Sequence, residues 1–168
     1  MWKIVRVIGV LAVVALMTLT AAFPAAADQT DRPFKGVLVG AGNVVPDASC
    51  PGGLRTETWA TGWVAHLGLT TMTGHHCTPA IGENNIQGGV ETWVAANGDT
   101  LETTYAATVE PFEPVEGAVM TGPGHTVITG GTGRFAGATG EFNADFRGIV
   151  HFTAPMELSW SYEGAISY

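Results

Sequence analysis

Alternation of apolar and polar residues dominates the chain from Phe34 onward and predicts β-strands rather than helices. In the segment "TGEFNADFRGIVHF" one face carries Phe142, Ala144, Phe146, Val150 and Phe152. In "PMELSWSYEGAIS" one face carries Met156, Leu158, Trp160, Tyr162 and Ile166. The residues between them are mostly polar or charged, which is typical of antiparallel strands with one face in water.

The same period of two continues through the middle of the chain. In "TETWATGWVAHLGLTT" the face that carries Trp59 and Trp63 is the more apolar one, and we expect it to point inward. The segment "VETWVAANGDTLETTYAATVE" divides into two strands at Asn97-Gly98, a strong hairpin signal because both residues tolerate positive φ. On its second strand the inward face is predicted to carry Leu101, Thr103, Tyr105, Ala107 and Val109.

Segments rich in Pro and Gly separate these runs, and no helix of ten or more residues with an apolar stripe is indicated after residue 27. Seven or eight strands in one chain of this length predict an all-β barrel or sandwich. We assign residues 34–168 to this single domain.

The N-terminus has the pattern of a secretory signal peptide. Lys3 and Arg6 precede the apolar run from Val7 to Leu19, and small residues lead to a predicted cut after Ala27. Residues 1–27 are thus interpreted as the signal peptide and residues 28–33 as a disordered mature N-terminus. A membrane anchor is the alternative, but the apolar run is short for one. We therefore expect a secreted, extracellular or periplasmic protein, with no membrane insertion of the mature chain.

The net charge of the protein limits the kinds of partner that it can bind. The formal net charge is −8, and without Lys3 and Arg6 only five basic residues face fifteen acidic ones. A basic surface for nucleic acid or anionic membranes is excluded by so few cations. No motif indicates a cofactor, and the acidic residues favour solubility.

Two cysteines, Cys50 and Cys77, remain in the mature chain. In an exported protein such a pair predicts a disulfide bond. The alternative is a metal site that combines Cys77 with His75 and His76. Adjacent histidines on a strand point to opposite faces, so we predict the disulfide and no metal site.

The stretch "VITGGTGRFAGATGEFNADF", residues 127–146, resembles a nucleotide-binding loop at first sight because of its glycines. Such a loop must lead into a helix, whereas strict alternation follows here. We interpret Gly130, Gly131 and Gly133 as a structural turn at a bend of the barrel, with Phe135 closing one end of the core.

The segment "VITGGTGRFAGATGEF" resembles a hairpin of the allene oxide cyclase family, and its Gly-Gly-Thr-Gly-x-Phe element is similar to one in plant dirigent proteins. The ending "APMELSWSYEGAI" resembles the closing strand of the cyclases. This resemblance covers roughly residues 124–166. It implies an eight-stranded antiparallel β-barrel of lipocalin-like shape. The strand "FKGVLVG" has none of the carboxylate or amide residues that these families carry on their first strand, so no catalytic residue is transferred.

Such a barrel is either filled by side chains or holds one small ligand. We predict a small hydrophobic ligand that contacts seven inward aromatic residues: Trp59, Trp63, Tyr105, Phe142, Phe146, Trp160 and Tyr162. Glu57 shares the register of Trp59 and is the candidate catalytic carboxylate if the protein is an enzyme, which would then be an isomerase or cyclase. The third possibility is an interaction protein of the cell envelope with a filled barrel. The oligomeric state stays open.

Overall fold

The computed structural model of the protein describes residues 30–80 and 82–168. The predicted signal peptide, residues 1–27, lies outside the described residues, as do residues 28 and 29 of the predicted disordered segment. The first strand begins at Arg32, and Arg32 and Pro33 pair with Ile166 and Ala165. The prediction of disorder is therefore wrong for these two residues, because they complete the ladder with the last strand.

Eight antiparallel strands close into a barrel in simple sequential order, which confirms the predicted fold class. The strands are β1 (Arg32–Pro46), β2 (Leu54–Val64), β3 (Gly68–Cys77), β4 (Asn85–Val94), β5 (Thr100–Thr108), β6 (Val119–Gly131), β7 (Thr139–Ile149) and β8 (Met156–Ser167). Among the described residues the only helix is one 3-10 turn, Gly133–Phe135. No helix in this part of the chain is long and apolar enough to cross a membrane.

Strand β2 has the opposite orientation to the one predicted. Its inward positions hold small residues, which are Thr56, Thr58, Ala60 and Val64. Trp59 is 41% exposed and Trp63 is 71% exposed, so both lie on the outer surface. The predicted inward orientation of these two tryptophans is wrong, because alternation defines two faces of a strand without showing which one points inward.

One end of the barrel is filled by aromatic rings. Trp93 is fully buried at its centre and contacts Phe142 and Tyr162, with ring centroids 5.7 and 4.9 Å away. Phe34 stacks on Phe142 at 4.5 Å. Phe135 is fully buried and seals this packed end. Its ring also meets that of Tyr168 at 5.0 Å.

The glycine turn directs Phe135 into the core. Gly133 has a φ of +57°, a left-handed conformation that side chains rarely adopt. A Cβ at Gly133 would overlap the carboxylate of Asp99, and a Cβ at Gly131 would overlap the carbonyl oxygen of Thr100. The ladder between β5 and β6 changes register beside Gly130. The glycines thus allow a tight bend between β6 and β7.

Replacing Gly133 with valine is expected to lower the free energy of unfolding by roughly 1–3 kcal/mol, because the backbone of valine is strained at a positive φ. The same change at Ala136 in this turn, where φ is −59°, is the control and should stay within about 0.5 kcal/mol. Urea unfolding of both variants tests this. Equal stability of the Gly133 variant and the unaltered protein would contradict the role assigned to the turn.

The predicted disulfide bond between Cys50 and Cys77 is confirmed. It joins the β1–β2 loop to the end of β3. Cys77 is thereby unavailable as a metal ligand. Beside it, His75 is exposed and His76 is buried, as expected for neighbours on one strand.

Candidate functional site

The end of the barrel opposite the packed end is hollow. It holds a cavity of about 730 Å³. The walls are mostly apolar and include Met120, Phe146, Val150, Met156, Leu158 and Trp160. The sequence left open whether the interior is filled or hollow. The structure combines the two, with a packed end and a hollow end in the same barrel.

Four of the aromatic residues predicted for the ligand site line this cavity. They are Tyr105, Phe146, Trp160 and Tyr162. Phe142 points inward as predicted, but it lies in the packed end against Phe34 and does not line this cavity. Its ring is needed there to fill the space between Phe34 and Trp93.

Glu57 does not reach the cavity. Its strand is oriented so that Glu57 lies on the outer face, where its Oε1 pairs with Nη2 of Arg55 at 2.6 Å. The candidate catalytic role of Glu57 is therefore wrong for chemistry inside the barrel. The cause is the same reversed face of β2 that misplaced Trp59.

Glu91, a carboxylate that was not predicted from the sequence, lies at the floor of the cavity. Its side chain is on the inner face of β4, one inward position from Trp93, and the residue is 8% exposed. Glu91 Oε2 accepts hydrogen bonds from Trp93 Nε1 at 3.2 Å and Thr103 Oγ1 at 3.0 Å. Its Oε1 has no hydrogen-bond partner among the described residues.

Burial raises the pKa of Glu91 to about 7, and the two hydrogen bonds from Thr103 and Trp93 oppose this only in part. Glu91 therefore changes charge near neutral pH. The sequence did carry a signal for it. In "VETWV" the glutamate is two residues before Trp93 and must share its face.

His76 and Tyr105 form a second polar group in the cavity. The Tyr105 hydroxyl donates to Nδ1 of His76 at 2.6 Å when the imidazole carries its proton on Nε2. Burial, followed by the charge of His75, lowers the pKa of His76 to about 4, so this ring is neutral at neutral pH. Burial, followed by the charge of Glu91, raises the pKa of Tyr105.

A bulge in β4 makes room for Tyr105. The pairing of β4 with β5 shifts between Ile86 and Gly89, and a Cβ at Gly89 would overlap the tyrosine ring. The ring of Tyr105 therefore lies over a glycine. This close approach holds the hydroxyl beside His76.

Tyr162 contributes a third polar group at the floor. Its ring packs on Trp93 while its hydroxyl, which is buried, has no hydrogen-bond partner among the described residues. Burial raises the pKa of Tyr162, and the charges of Glu91 and Tyr105 raise it further. A buried hydroxyl group without a hydrogen-bond partner destabilises the protein. A ligand that forms a hydrogen bond with the Tyr162 hydroxyl therefore gains binding free energy.

The rim of the cavity is formed by connecting segments, including Pro111, Phe112 and Pro114. The segment that follows is attached to the β7–β8 turn by Glu116, which pairs with His151 at 2.8 Å and accepts a bond from the Phe152 amide at 2.8 Å. The hydrogen bond to Glu116 raises the pKa of His151 and so favours its charged form.

Comparison with known proteins identifies the fold. A solved structure, that of the pterocarpan synthase dirigent protein GePTS1, is similar over 92% of this chain and 99% of that chain, with a TM-score of 0.55 and 18% sequence identity. The fold is that of a dirigent protein. No protein-family model and no curated protein sequence matches the chain.

The dirigent-like barrel agrees with the similarity expected from the Gly-Gly-Thr-Gly-x-Phe element. At this level of identity the likeness concerns the fold alone. The similarity to allene oxide cyclases stays a prediction from the sequence. Among the residues that line the cavity, Glu91, His76, Tyr105 and Tyr162 supply polar groups.

Proposed function

We propose that this barrel binds one small hydrophobic molecule in the cavity at its hollow end. The observation that carries the proposal is the cavity itself, whose volume of about 730 Å³ lies within the usual range for small-molecule sites. Its apolar walls with a few polar groups at the floor are the usual composition of such sites. The apolar walls favour a ligand with a hydrophobic body.

The proposal predicts saturable binding of the neutral fluorescent probe N-phenyl-1-naphthylamine, close to one site per chain. Replacing Ala107 with phenylalanine adds a ring inside the cavity, and we expect at least about tenfold weaker binding because the lost space excludes the probe. Ala106 lies on the opposite face of β5, so its replacement with phenylalanine is the matched control and should change the affinity by less than about twofold. A fluorescence titration measures both.

Two results would reject this proposal. One is the absence of saturable binding to the unaltered protein. The other is equal affinity of the Ala107 and Ala106 variants, because the probe would then bind outside the barrel.

We infer that the protein is exported before it acts. The disulfide between Cys50 and Cys77 and the N-terminal pattern with its cut after Ala27 support this. Mass spectrometry of the exported protein tests this inference. We expect a mature N-terminus at Asp28, and retention of residues 1–27 would overturn the inference.

Glu91 favours a second candidate function, that of an isomerase or cyclase. A carboxyl group whose pKa is about 7 can both donate and accept a proton at neutral pH, and here it adjoins an apolar cavity. For a bound compound, conversion to an isomer of equal mass, measured by chiral chromatography, would support an enzyme. The conversion must be lost when Glu91 is replaced with glutamine, and it must be kept when Glu57 is replaced in the same way. Conversion by the Glu91 variant would exclude a catalytic role of Glu91.

A further inference from the structure

The charges around the cavity restrict the chemistry of its ligand. Among the lining residues that the structure describes there is no lysine or arginine. His76 adds no positive charge at neutral pH because its pKa is lowered to about 4. The acidic residues of the lining are Glu91 at the floor and Glu83 at the rim. An organic acid would thus meet carboxylates and no cation in an apolar space, where like charges repel strongly.

The floor of the cavity has two atoms that are able to accept a hydrogen bond and receive none. Glu91 Oε2 is held by Trp93 and Thr103, which fixes the carboxylate and leaves Oε1 without a partner among the described residues. The Tyr162 hydroxyl is buried and also lacks a partner in this part of the chain. A ligand group with several N–H donors and a positive charge complements both atoms, since an ammonium group donates and never accepts.

The walls are also suited to a cation. Phe146, Trp160 and Tyr162 present aromatic rings to the cavity. The faces of such rings attract ammonium groups, and more strongly where water is excluded. A charge-assisted hydrogen bond to a carboxylate is stronger than one between neutral groups. An amine therefore finds an anion and aromatic rings in the same space.

We propose that the cavity selects hydrophobic molecules that carry one basic amine nitrogen, and that this nitrogen binds Glu91 Oε1 at the floor. The proposal rests on the proposed function, because it names the class of ligand for the same cavity. Matched neutral alcohols bind more weakly, and matched carboxylic acids are excluded.

Three probes with one ring system test the proposal: 2-(2-naphthyl)ethylamine, 2-(2-naphthyl)ethanol and 2-naphthylacetate. Isothermal titration calorimetry of the disulfide-bonded protein at pH 8 should give an affinity for the amine about tenfold or more above that for the alcohol, given the strength of hydrogen bonds to charged groups. The acetate should show no measurable binding.

Replacing Glu91 with glutamine removes the charge and exchanges one carboxylate oxygen for an amide NH2 group of similar size. The variant should bind the amine and the alcohol within about threefold of each other. Replacing Glu57 with glutamine removes one charge from the outer face and should leave the preference for the amine unchanged. This control separates recognition at the floor from general attraction of cations to an acidic protein.

The unaltered protein offers a test that needs no variant. Over pH 5–8 the groups facing Glu91 keep their charge states, because the pKa of His76 is about 4 and burial raises the pKa values of Tyr105 and Tyr162. Glu91, with a pKa of about 7, loses its proton in this range, while an alkylamine with a pKa near that of lysine, about 10.4, keeps its own. Affinity for the amine should rise with pH, by up to about tenfold per unit, and level off above pH 7.

Each outcome is decisive. Any one of four results overturns the proposed ligand class. They are equal binding of the amine and the alcohol, tighter binding of the acetate than of the amine, a preference for the amine that survives in the Glu91 variant, and an affinity for the amine that does not rise with pH. If the alcohol still binds in those cases, the proposed function stands. If none of the three probes binds, the proposed ligand class fails, and the titration with N-phenyl-1-naphthylamine decides separately whether the proposed function stands.

Discussion

Replacing Trp93 with alanine is expected to lower the free energy of unfolding by about 3–5 kcal/mol. Trp93 is fully buried, and its ring contacts Phe34, Phe142 and Tyr162. Its loss opens a void where these rings meet, and the surrounding β-ladders prevent the strands from collapsing into it. It also removes one of the two hydrogen bonds to Glu91 Oε2. Urea unfolding followed by circular dichroism measures the change.

Trp63 supplies the matched control, because it is the same residue type on the outer face. It is 71% exposed, so its replacement with alanine should change stability by about 0.5 kcal/mol or less. Similar losses for the two variants, or a larger loss for the Trp63 variant, would show that the orientation of β2 or β4 described above is wrong.

Replacing Cys50 and Cys77 together with alanine is the second change with a large expected effect, a loss of about 3–4 kcal/mol. The two residues are separated by 27 positions, and the bond restricts the unfolded chain by closing that loop. The barrel should still form, because main-chain hydrogen bonds such as that from the Thr78 amide to the Leu54 carbonyl, 3.0 Å, do not depend on the bond. Urea unfolding of the variant beside the oxidised protein gives the difference.

Reduction of the unaltered protein with dithiothreitol should produce the same loss as the double variant, since both remove the same constraint. Unfolding curves that coincide for the oxidised protein, the reduced protein and the variant would contradict a stabilising role for the bond.

The strands near the C-terminus were predictable because each has one strongly apolar face. Phe142 and Phe146 on β7, and Leu158, Trp160 and Tyr162 on β8, point inward as their pattern indicates. The glycine turn was predictable for a different reason, since "GGTGRF" has no helix after it and a phosphate loop needs one.

Strand β2 shows where such prediction ends. Both of its faces carry apolar residues, and the larger ones, Trp59 and Trp63, lie outside. At the packed end the inward residue Ala60 must stay small, because Trp93, Phe34 and Phe142 already occupy the centre. The inward threonines Thr56 and Thr58 line the cavity. Side-chain size is therefore decided by the opposite wall of the barrel, which the pattern of a single strand cannot show.

The hollow end was unpredictable for a related reason. Whether a barrel is filled depends on the volumes of inward residues from all eight strands together. The spacing of Glu91 from Trp93, by contrast, places the two residues on the same face of β4, and the structure shows that this face points inward. A charged residue on the same face as a tryptophan was a local sign of chemistry at Glu91, as it was at Glu57 on β2.

The division of the barrel into a packed end and a hollow end also bears on how such a protein evolves. Each strand has inward positions at both ends, and those at the packed end supply most of the buried apolar contacts. Substitutions at the hollow end remove few such contacts, so they lower the free energy of unfolding only slightly. This matters because that free energy is small in most proteins. New ligand preferences can therefore arise at the hollow end while the fold is kept by residues of the same strands a few positions away.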